Sequence, residues 1–321
     1  MKYFVGVDLG GTNIAVGLCD ENGKLLHQDS VPTGAHRPAS NVLADMADLI
    51  LKVVADSGHT MSDISGVGVG SPGAADTKSG VLIFSNNLNW RFVQVREELQ
   101  KKLGKIPVAL DNDANVAALA ELYAGCAQDV KNVVLLTLGT GVGGGIIIDG
   151  KILGGCHHVG AEIGHMCMDP RGPMCTCGNR GCFERYTSAT ALIQAGRRAV
   201  VDYPGCAIHT AAGGDMEKVT AKVVLDAAKA GDVIAREIFD NYVYYLAMGC
   251  ISIINLFDPE VIALGGGVSK AGDFLLDAVQ KVTKEHIFYK DLPHARIEIS
   301  PLGNEAGIIG AAMLGKIGEI G

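Results

Sequence analysis

The chain has 321 residues, of which 48% are hydrophobic and 19% charged, and its formal net charge is −8. That length supports two domains with full-sized cores, so neither a disulfide nor a metal is needed merely to fold. The excess of 35 acidic over 27 basic residues argues against a nucleic-acid or anionic-membrane surface, and no run of Lys or Arg changes that balance.

Val5, Val7 and Leu9 lie in a short apolar strand, and residues 14–18 form another after a Gly-Gly turn. Asp20-Glu21-Asn22-Gly23 is a hairpin turn into a strand over 24–30. Val42, Met46, Leu49, Ile50 and Val53 carry helical spacing across 39–55. Residues 66–70 read as a buried strand, 92–103 as a helix, 108–110 as a strand and 112–123 as an alanine-rich helix. Strands at 133–138 and 145–148 flank a glycine turn. A loop-rich stretch then runs to about residue 186, followed by mainly helical chain through Leu256. A strand at 261–264, a helix near 274–285, a strand at 297–300 and an alanine-glycine helix at 304–316 complete the chain. Alternating strands and helices define the α/β class.

No signal-peptide core fits ahead of Asp8. The uncharged runs 132–148 and 241–257 are interrupted by glycines or polar residues and fall short of the roughly 20 apolar residues of a membrane span. They read as buried strands and a buried helix, with the core favoured over an interface for the second. A cytoplasmic protein is expected, in which the nine cysteines are reduced thiols or metal ligands.

Glycine is in surplus at 43 residues, thirteen of them between Gly139 and Gly181. Because glycine weakens helices and strands, such density marks tight turns or close backbone approach. The chain also repeats itself once. Val7-Asp8-Leu9-Gly10-Gly11-Thr12 aligns with Leu136-Thr137-Leu138-Gly139-Thr140-Gly141, Asp20 with Asp149, and Gly23-Lys24 with Gly150-Lys151. A strand, glycine turn, strand and hairpin thus occur twice, which predicts two related domains facing each other across a cleft.

At each glycine turn several backbone N–H groups can converge on one anion. Gly10-Gly11-Thr12 and Gly139-Thr140-Gly141 add hydroxyls, and together they would hold a polyphosphate. Residues 139–144 also match G-x-G-x-x-G, but that fingerprint requires a following helix, and 145–150 read as strand and turn, so a dinucleotide site is rejected. Gly265-Gly266-Gly267 either lets a base or ribose lie against backbone or eases a crowded turn.

Asp111-Asn112-Asp113 sits at a strand end, where open α/β sheets bind ligands. One of the three caps the helix that follows, and the residues alone do not say which acid is left for chemistry. His165, Cys175, Cys177 and Cys182 offer one imidazole and three thiolates on a loop eased by Gly178 and Gly181. This donor set suits tetrahedral Zn²⁺ with no open position, hence a structural metal. Disulfides and isolated buried thiols are the alternatives, and Cys156, His157, His158 and Cys167 are nearby competing ligands, with His157-His158 read as a polar turn.

These motifs resemble the ROK family (repressors, uncharacterised frames and sugar kinases). The resemblance rests on Asp8-Leu9-Gly10-Gly11-Thr12, Asp111-Asn112-Asp113-Ala114-Asn115, Leu138 to Gly144, Glu162-Ile163-Gly164-His165, and Cys175 to Glu184, and it spans essentially the whole chain. Length and Leu264-Gly265-Gly266-Gly267-Val268-Ser269 are most similar to glucokinases of Gram-positive bacteria. The resemblance implies an actin-like, ribonuclease-H-like pair of α/β domains with a cleft between them. A small lobe would comprise 1–113 plus 304–321. A large lobe, 114–303, would hold the zinc loop at 165–184.

By the same resemblance, Asp113 is the general base for a sugar hydroxyl attacking the γ-phosphate of ATP, with Mg²⁺ accompanying the nucleotide. Asn112, Glu162, His165 and Glu184 would bond sugar hydroxyls, and Gly73 and Asn87 would line the same pocket. Where many relatives read proline-asparagine-leucine-x-glycine-tryptophan, this chain has the shorter Asn86-Asn87-Leu88-Asn89-Trp90. Asp8, Gly10, Gly11, Thr12, Asn13, Thr137, Gly139, Thr140 and Gly141 match the ATP phosphate region, and Gly265, Gly266 and Gly267 the adenosine turn. His165 serves zinc and sugar together if one ring nitrogen binds the metal and the other donates.

The implied activity is a hexose kinase acting on the 6-hydroxyl of glucose. N-acetylglucosamine, N-acetylmannosamine, mannose or fructose is the alternative substrate. A sugar-sensing repressor is the alternative of another class, disfavoured because no helix-turn-helix segment precedes the first strand. A homodimer or homotetramer is expected, with no nucleic-acid or membrane partner.

Overall fold

The computed structural model describes residues 1–318. Strands β1 (Tyr3–Leu9), β2 (Asn13–Asp20) and β3 (Leu25–Pro32) form an antiparallel meander. Helix α1 (Ala39–Asp56) leads to β4 (Ile64–Ser71), which runs parallel to β1. A small antiparallel sheet follows, made of β5 (Ala74–Asp76), β6 (Val81–Ser85) and β7 (Trp90–Val93). Helix α2 (Val95–Leu103) precedes β8 (Val108–Asn112), parallel to β4, and β8 runs directly into α3 (Asp113–Tyr123).

The second half opens with β9 (Val133–Leu138), β10 (Val142–Ile148) and β11 (Lys151–Ile152). Five helices come next: α4 (Glu184–Thr187), α5 (Ala189–Asp202), α6 (Ala207–Ala212), α7 (Ala221–Lys229) and α8 (Val233–Phe257). Strand β12 (Val261–Gly265), helix α9 (Asp273–His286), strand β13 (Arg296–Ile299) and helix α10 (Ala306–Gly318) end the described chain.

The internal repeat is a repeated sheet. One has the order β3-β2-β1-β4-β8 and the other β11-β10-β9-β12-β13. Chain order maps onto strand order in the same way in both, with an antiparallel hairpin at one edge and a parallel pair at the other. By compactness the chain divides into one unit of 1–135, 145–161 and 301–321 and another of 136–144 and 162–300.

Two features differ from the sequence reading. Residues 90–93 are a strand, not the start of a helix: Trp90 is buried, Phe92 is 69% exposed with φ 52°, and the helix begins at Val95. Its Glu97 and Glu98 fall in the first turn and Lys101 and Lys102 in the last, as the helix dipole favours. The three-stranded sheet was not anticipated, because strands of three to five residues carry too little periodicity to read. The apolar helix read over 241–257 lies within α8 and buries Tyr242, Leu246, Ala247 and Cys250 in the core. Among the described residues no helix is long and apolar enough to cross a membrane.

In the first unit α10 lies at backbone distance from its neighbours. A Cβ at Gly310 would fall 1.8 Å from the Val116 carbonyl oxygen of α3, and one at Gly68 would fall 1.9 Å from that of Ala311. Side chains cannot yield there, since the obstructing atoms are main chain. Gly68→Ala is expected to destabilise the protein by about 3 kcal/mol, the upper end of ordinary overpacking, as read from urea unfolding.

Candidate functional site

In the first unit, the end of β8 distributes three polar residues among three tasks. Asn112, extended at ψ 144°, is the N-cap of α3: its Oδ1 accepts the N–H groups of Ala114 at 2.9 Å and Asn115 at 3.3 Å. Its Nδ2 donates to the Gly73 carbonyl at 3.1 Å. Asp111 is buried and braced, accepting from the Asn112 N–H at 2.6 Å and from Asn115 Nδ2 at 2.9 Å. The main capping and the bracing are therefore done by other residues, and the Asp113 carboxylate is bonded within the helix start itself, its Oδ1 accepting the Ala114 N–H at 2.9 Å.

Burial raises the Asp113 carboxyl above the usual carboxylate range, against the lowering effect of that N–H. Asp8, on β1, is pushed up to about 6, chiefly by burial and further by the Asp113 charge. Gly307 makes room for it, since a Cβ there would lie 2.6 Å from Asp8 Oδ2. Two carboxyls thus share one poorly solvated space.

The first glycine turn lies beside them. The Gly10 N–H donates to Asn13 O at 2.9 Å, while Thr12 and Asn13 are exposed. Buried Thr33 clamps the turn: its N–H donates to Thr12 O at 2.8 Å and its hydroxyl to Gly10 O at 2.7 Å. No motif in the sequence marks Thr33; only the β2–β3 register, which pairs Asn13 with Pro32, places it. Gly11 packs against Asn87, and Gly73 (φ 109°) sits where a Cβ would meet Phe84 O at 2.0 Å. The structure therefore gathers Asp8, Gly10, Gly11, Gly73, Asn87, Asn112 and Asp113 within the first unit.

In the second unit, Gly139, Thr140 and Gly141 form the other turn. The Thr137 hydroxyl accepts the Gly143 N–H at 3.1 Å, Gly139 O accepts the Ala189 N–H at 2.8 Å, and Thr140 O accepts the Thr190 hydroxyl at 2.6 Å. Glu184 Oε2 accepts the Val142 N–H at 2.9 Å and occupies the space that a Cβ on Gly141 would need. Gly266 (φ 85°) packs on the Leu138 backbone, so the turn at Gly265, Gly266 and Gly267 adjoins the turn at Gly139. Glu162 and His165 are exposed at the two ends of a short 3-10 turn.

The metal cluster is in the same unit. Ligand atoms of His165, Cys175, Cys177 and Cys182 lie within 4.8 Å of one another. His165 Nδ1 is 3.7 Å from Cys175 Sγ, and Cys177 Sγ is 3.6 Å from Cys182 Sγ. A sulfur tetrahedron around Zn²⁺, with bonds of about 2.3 Å, has edges of about 3.8 Å, whereas a disulfide is about 2.05 Å. The donor set fits zinc, and all nine cysteines are free thiols. The loop is held by Cys175 N–H to Asn179 O at 2.8 Å and Phe183 N–H to Met166 O at 2.8 Å. Cys167 lies outside the cluster, its Sγ on Arg180 O, and His158 instead faces Thr77 and Asp76. With Nδ1 turned to the thiols, His165 Nε2 is the nitrogen left to other partners.

A repeated five-stranded sheet, with a glycine turn after the first strand of each copy, defines a mixed α/β, two-domain, actin-like fold. The chain belongs to the ROK family, which matches residues 4–317. It is 39% identical to a glucokinase of Thermotoga maritima over 97% of this chain and 96% of that protein. A glucokinase of Halalkalibacterium halodurans is 36% identical over 98% and 95%. Among solved structures, a ROK family glucokinase from Streptomyces griseus in complex with glucose and AMPPNP superposes with a TM-score of 0.81 at 34% identity. The match covers 98% of this chain and 99% of that one.

Two outcomes follow for the isolated protein. It should carry about one zinc per chain by elemental analysis, and Cys175→Ser should lose that metal and melt roughly 5 °C or more lower. Asp8 has a folded pKa of about 6, above its unfolded value, so folding stability is greatest below that unfolded value and falls as pH rises to about 6. Asp8→Asn should lack this fall and be more stable than the parent at neutral pH by about 3 kcal/mol, read from urea unfolding at a series of pH values.

Proposed function

We propose that the chain is an ATP-dependent hexose kinase that phosphorylates the 6-hydroxyl of glucose with Asp113 as general base. The observation that carries this reading is the division of labour at the end of β8. Asn112 caps, Asp111 braces, and Asp113, bonded only within its own helix start, keeps a carboxylate of raised proton affinity. Near-full-length similarity to proteins named glucokinase supports the choice of sugar.

In this reading Asp113 takes the proton from the sugar 6-hydroxyl as that oxygen attacks the γ-phosphorus, and the bond to the β–γ bridging oxygen breaks to release ADP. Burial makes Asp113 a better proton acceptor than an exposed aspartate, and a positioned base contributes roughly 10²- to 10⁴-fold. Asn112, Glu162, His165 and Glu184 bond sugar hydroxyls, and Gly73 and Asn87 line the sugar pocket. Backbone N–H groups at Gly10–Gly11 and Gly139–Gly141 take phosphate oxygens, and Gly265–Gly267 lies against the adenosine. Mg²⁺ bound with the nucleotide would offset negative charge near Asp8 and Asp113. Zinc, when bound, fixes the ring of His165 and the loop leading to Glu184.

A coupled ADP-release assay across glucose, N-acetylglucosamine, N-acetylmannosamine, mannose and fructose should give the highest kcat/KM for glucose. Asp113→Asn should lower kcat by roughly 10³-fold while glucose binding changes little; retained turnover would refute the base. The acidic limb of kcat/KM should lie above the ordinary aspartate range, because protonation of Asp113 removes the base and its folded pKa is raised.

A further inference from the structure

We propose that the second unit carries a separate anion site, built on Arg185 and Arg198, that takes a small phosphorylated sugar. The site would be coupled to the Gly139–Gly141 turn. A cavity of about 360 Å³ is lined by Arg185, Tyr186, Gln194, Arg198, Asn241 and Tyr242 among others, and no Asp or Glu is in its wall. None of these residues belongs to the set assigned to sugar, nucleotide or zinc above.

The two guanidinium groups lack acidic partners. Arg37, Arg197, Arg236 and Arg296 each pair with a carboxylate, whereas neither Arg185 nor Arg198 does so among the described residues. Arg197 is the instructive contrast: one position earlier on the same helix, it meets Glu217 at 2.7 Å. Arg185 is held only by a bond from Nη2 to Gln194 Oε1 at 3.2 Å, and its Nε is buried without an acceptor. A guanidinium so poorly satisfied gains by turning toward an oxyanion, which it can grip with two parallel N–H groups.

The rest of the wall is mixed, with Leu192 and Ile238 beside Tyr186, Gln194, Asn241 and Tyr242. The Tyr242 hydroxyl is committed to Thr187 O at 2.6 Å, and the Tyr186 ring stacks on Tyr245 at 3.9 Å. The Gln194 and Asn241 amides are suited to hydroxyls. Inorganic phosphate would leave most of the cavity empty, and a phosphorylated hexose matches both its size and its mixed polarity.

The coupling runs through one short segment with two faces. Glu184, the Ala189 N–H and the Thr190 hydroxyl all bond the turn at Gly139–Val142. Arg185, Tyr186, Ala191, Leu192 and Gln194, interleaved with them, line the cavity. An anion that draws Arg185 into the cavity therefore pulls on the segment that clamps the turn. This regulatory half rests on the kinase reading; binding itself does not.

The test is calorimetric titration of the zinc-loaded protein with glucose 6-phosphate, in the presence of saturating glucose and AMPPNP to block the proposed catalytic site. One site per chain is expected. Arg198→Ala and Arg185→Gln should each weaken binding about tenfold, equivalent to one charge-assisted contact. Arg197→Ala should leave it unchanged, and melting curves confirm that each variant is folded. Inorganic phosphate should bind more weakly than the sugar phosphate. Absence of a second site, binding indifferent to Arg198→Ala, or equal affinity for inorganic phosphate would each overturn the proposal. Coupling requires that AMPPNP affinity shift when glucose 6-phosphate is present in the parent but not in Arg198→Ala; no shift overturns the regulatory half. Failure of the kinase reading would show separately, as absence of turnover with an intact isotherm.

Discussion

The first unit is organised around the cost of keeping the half-buried carboxyls of Asp8 and Asp113 together in a poorly solvated space. Burial and mutual repulsion both raise the proton affinity of Asp8, and burial does the same to Asp113. Such a pair persists only where the surrounding structure leaves it no alternative. Here that structure is identifiable. Gly307 provides the space beside Asp8, and α10 can bring Gly307 there only because Gly310 lets it lie on the α3 backbone. Asn112 caps α3, so Asp113 shares only the Ala114 N–H at the helix start. The fold spends stability at this point and concentrates negative charge where a cationic or proton-bearing group has most to gain.

Much of this was legible in the sequence, and what was not has a physical cause. The strand-turn-strand repeat could be read because strand alternation and glycine turns are local, and the matching strand orders follow from it. The cap at Asp111-Asn112-Asp113 could not be assigned, because all three residue types cap helices about equally well. What decides it is the backbone: Asn112 is the last extended residue, so its oxygen reaches both the second and the third N–H groups, whereas Asp113 shares only the second. Thr33 was invisible because its partners, Gly10 and Thr12, are brought to it by hairpin register rather than by spacing. The misread start of α2 has a similar origin. Trp90 and Phe92 count equally as apolar and, two apart in a strand, would share a face, yet one is buried and the other exposed because the φ of 52° at Phe92 breaks the alternation.

The cysteine loop was the reverse case, where chemistry outweighed periodicity. Four donors within twenty residues and two glycines that supply left-handed backbone at Gly178 and Gly181 suffice to close a tetrahedron. The ring orientation of His165 adds what spacing cannot give. Because Nδ1 faces the thiols, the tautomer with Nε2 protonated is the one that metal binding selects. The same loop continues through Phe183 into Glu184, whose carboxylate is already tied to the Val142 N–H. A metal that stiffens the loop therefore also stiffens a glycine turn to which it has no direct bond.

The two copies of the repeat then explain each other's differences. Asp8 and Thr137 occupy equivalent positions one residue before the end of the first strand of each sheet, yet one is a buried acid and the other a hydroxyl that braces its own turn through Gly143. The first turn is clamped by a single buried threonine on its own hairpin, so its geometry is set within the meander. The second is clamped by Glu184, Ala189 and Thr190, which come from a segment more than forty residues downstream. A turn clamped locally is fixed by folding of its hairpin. One clamped from afar inherits every movement of the segment that holds it. The same strand-turn-strand is thus held in two ways, one turn within its own hairpin beside a carboxyl pair and the other by side and main chain from a distant segment.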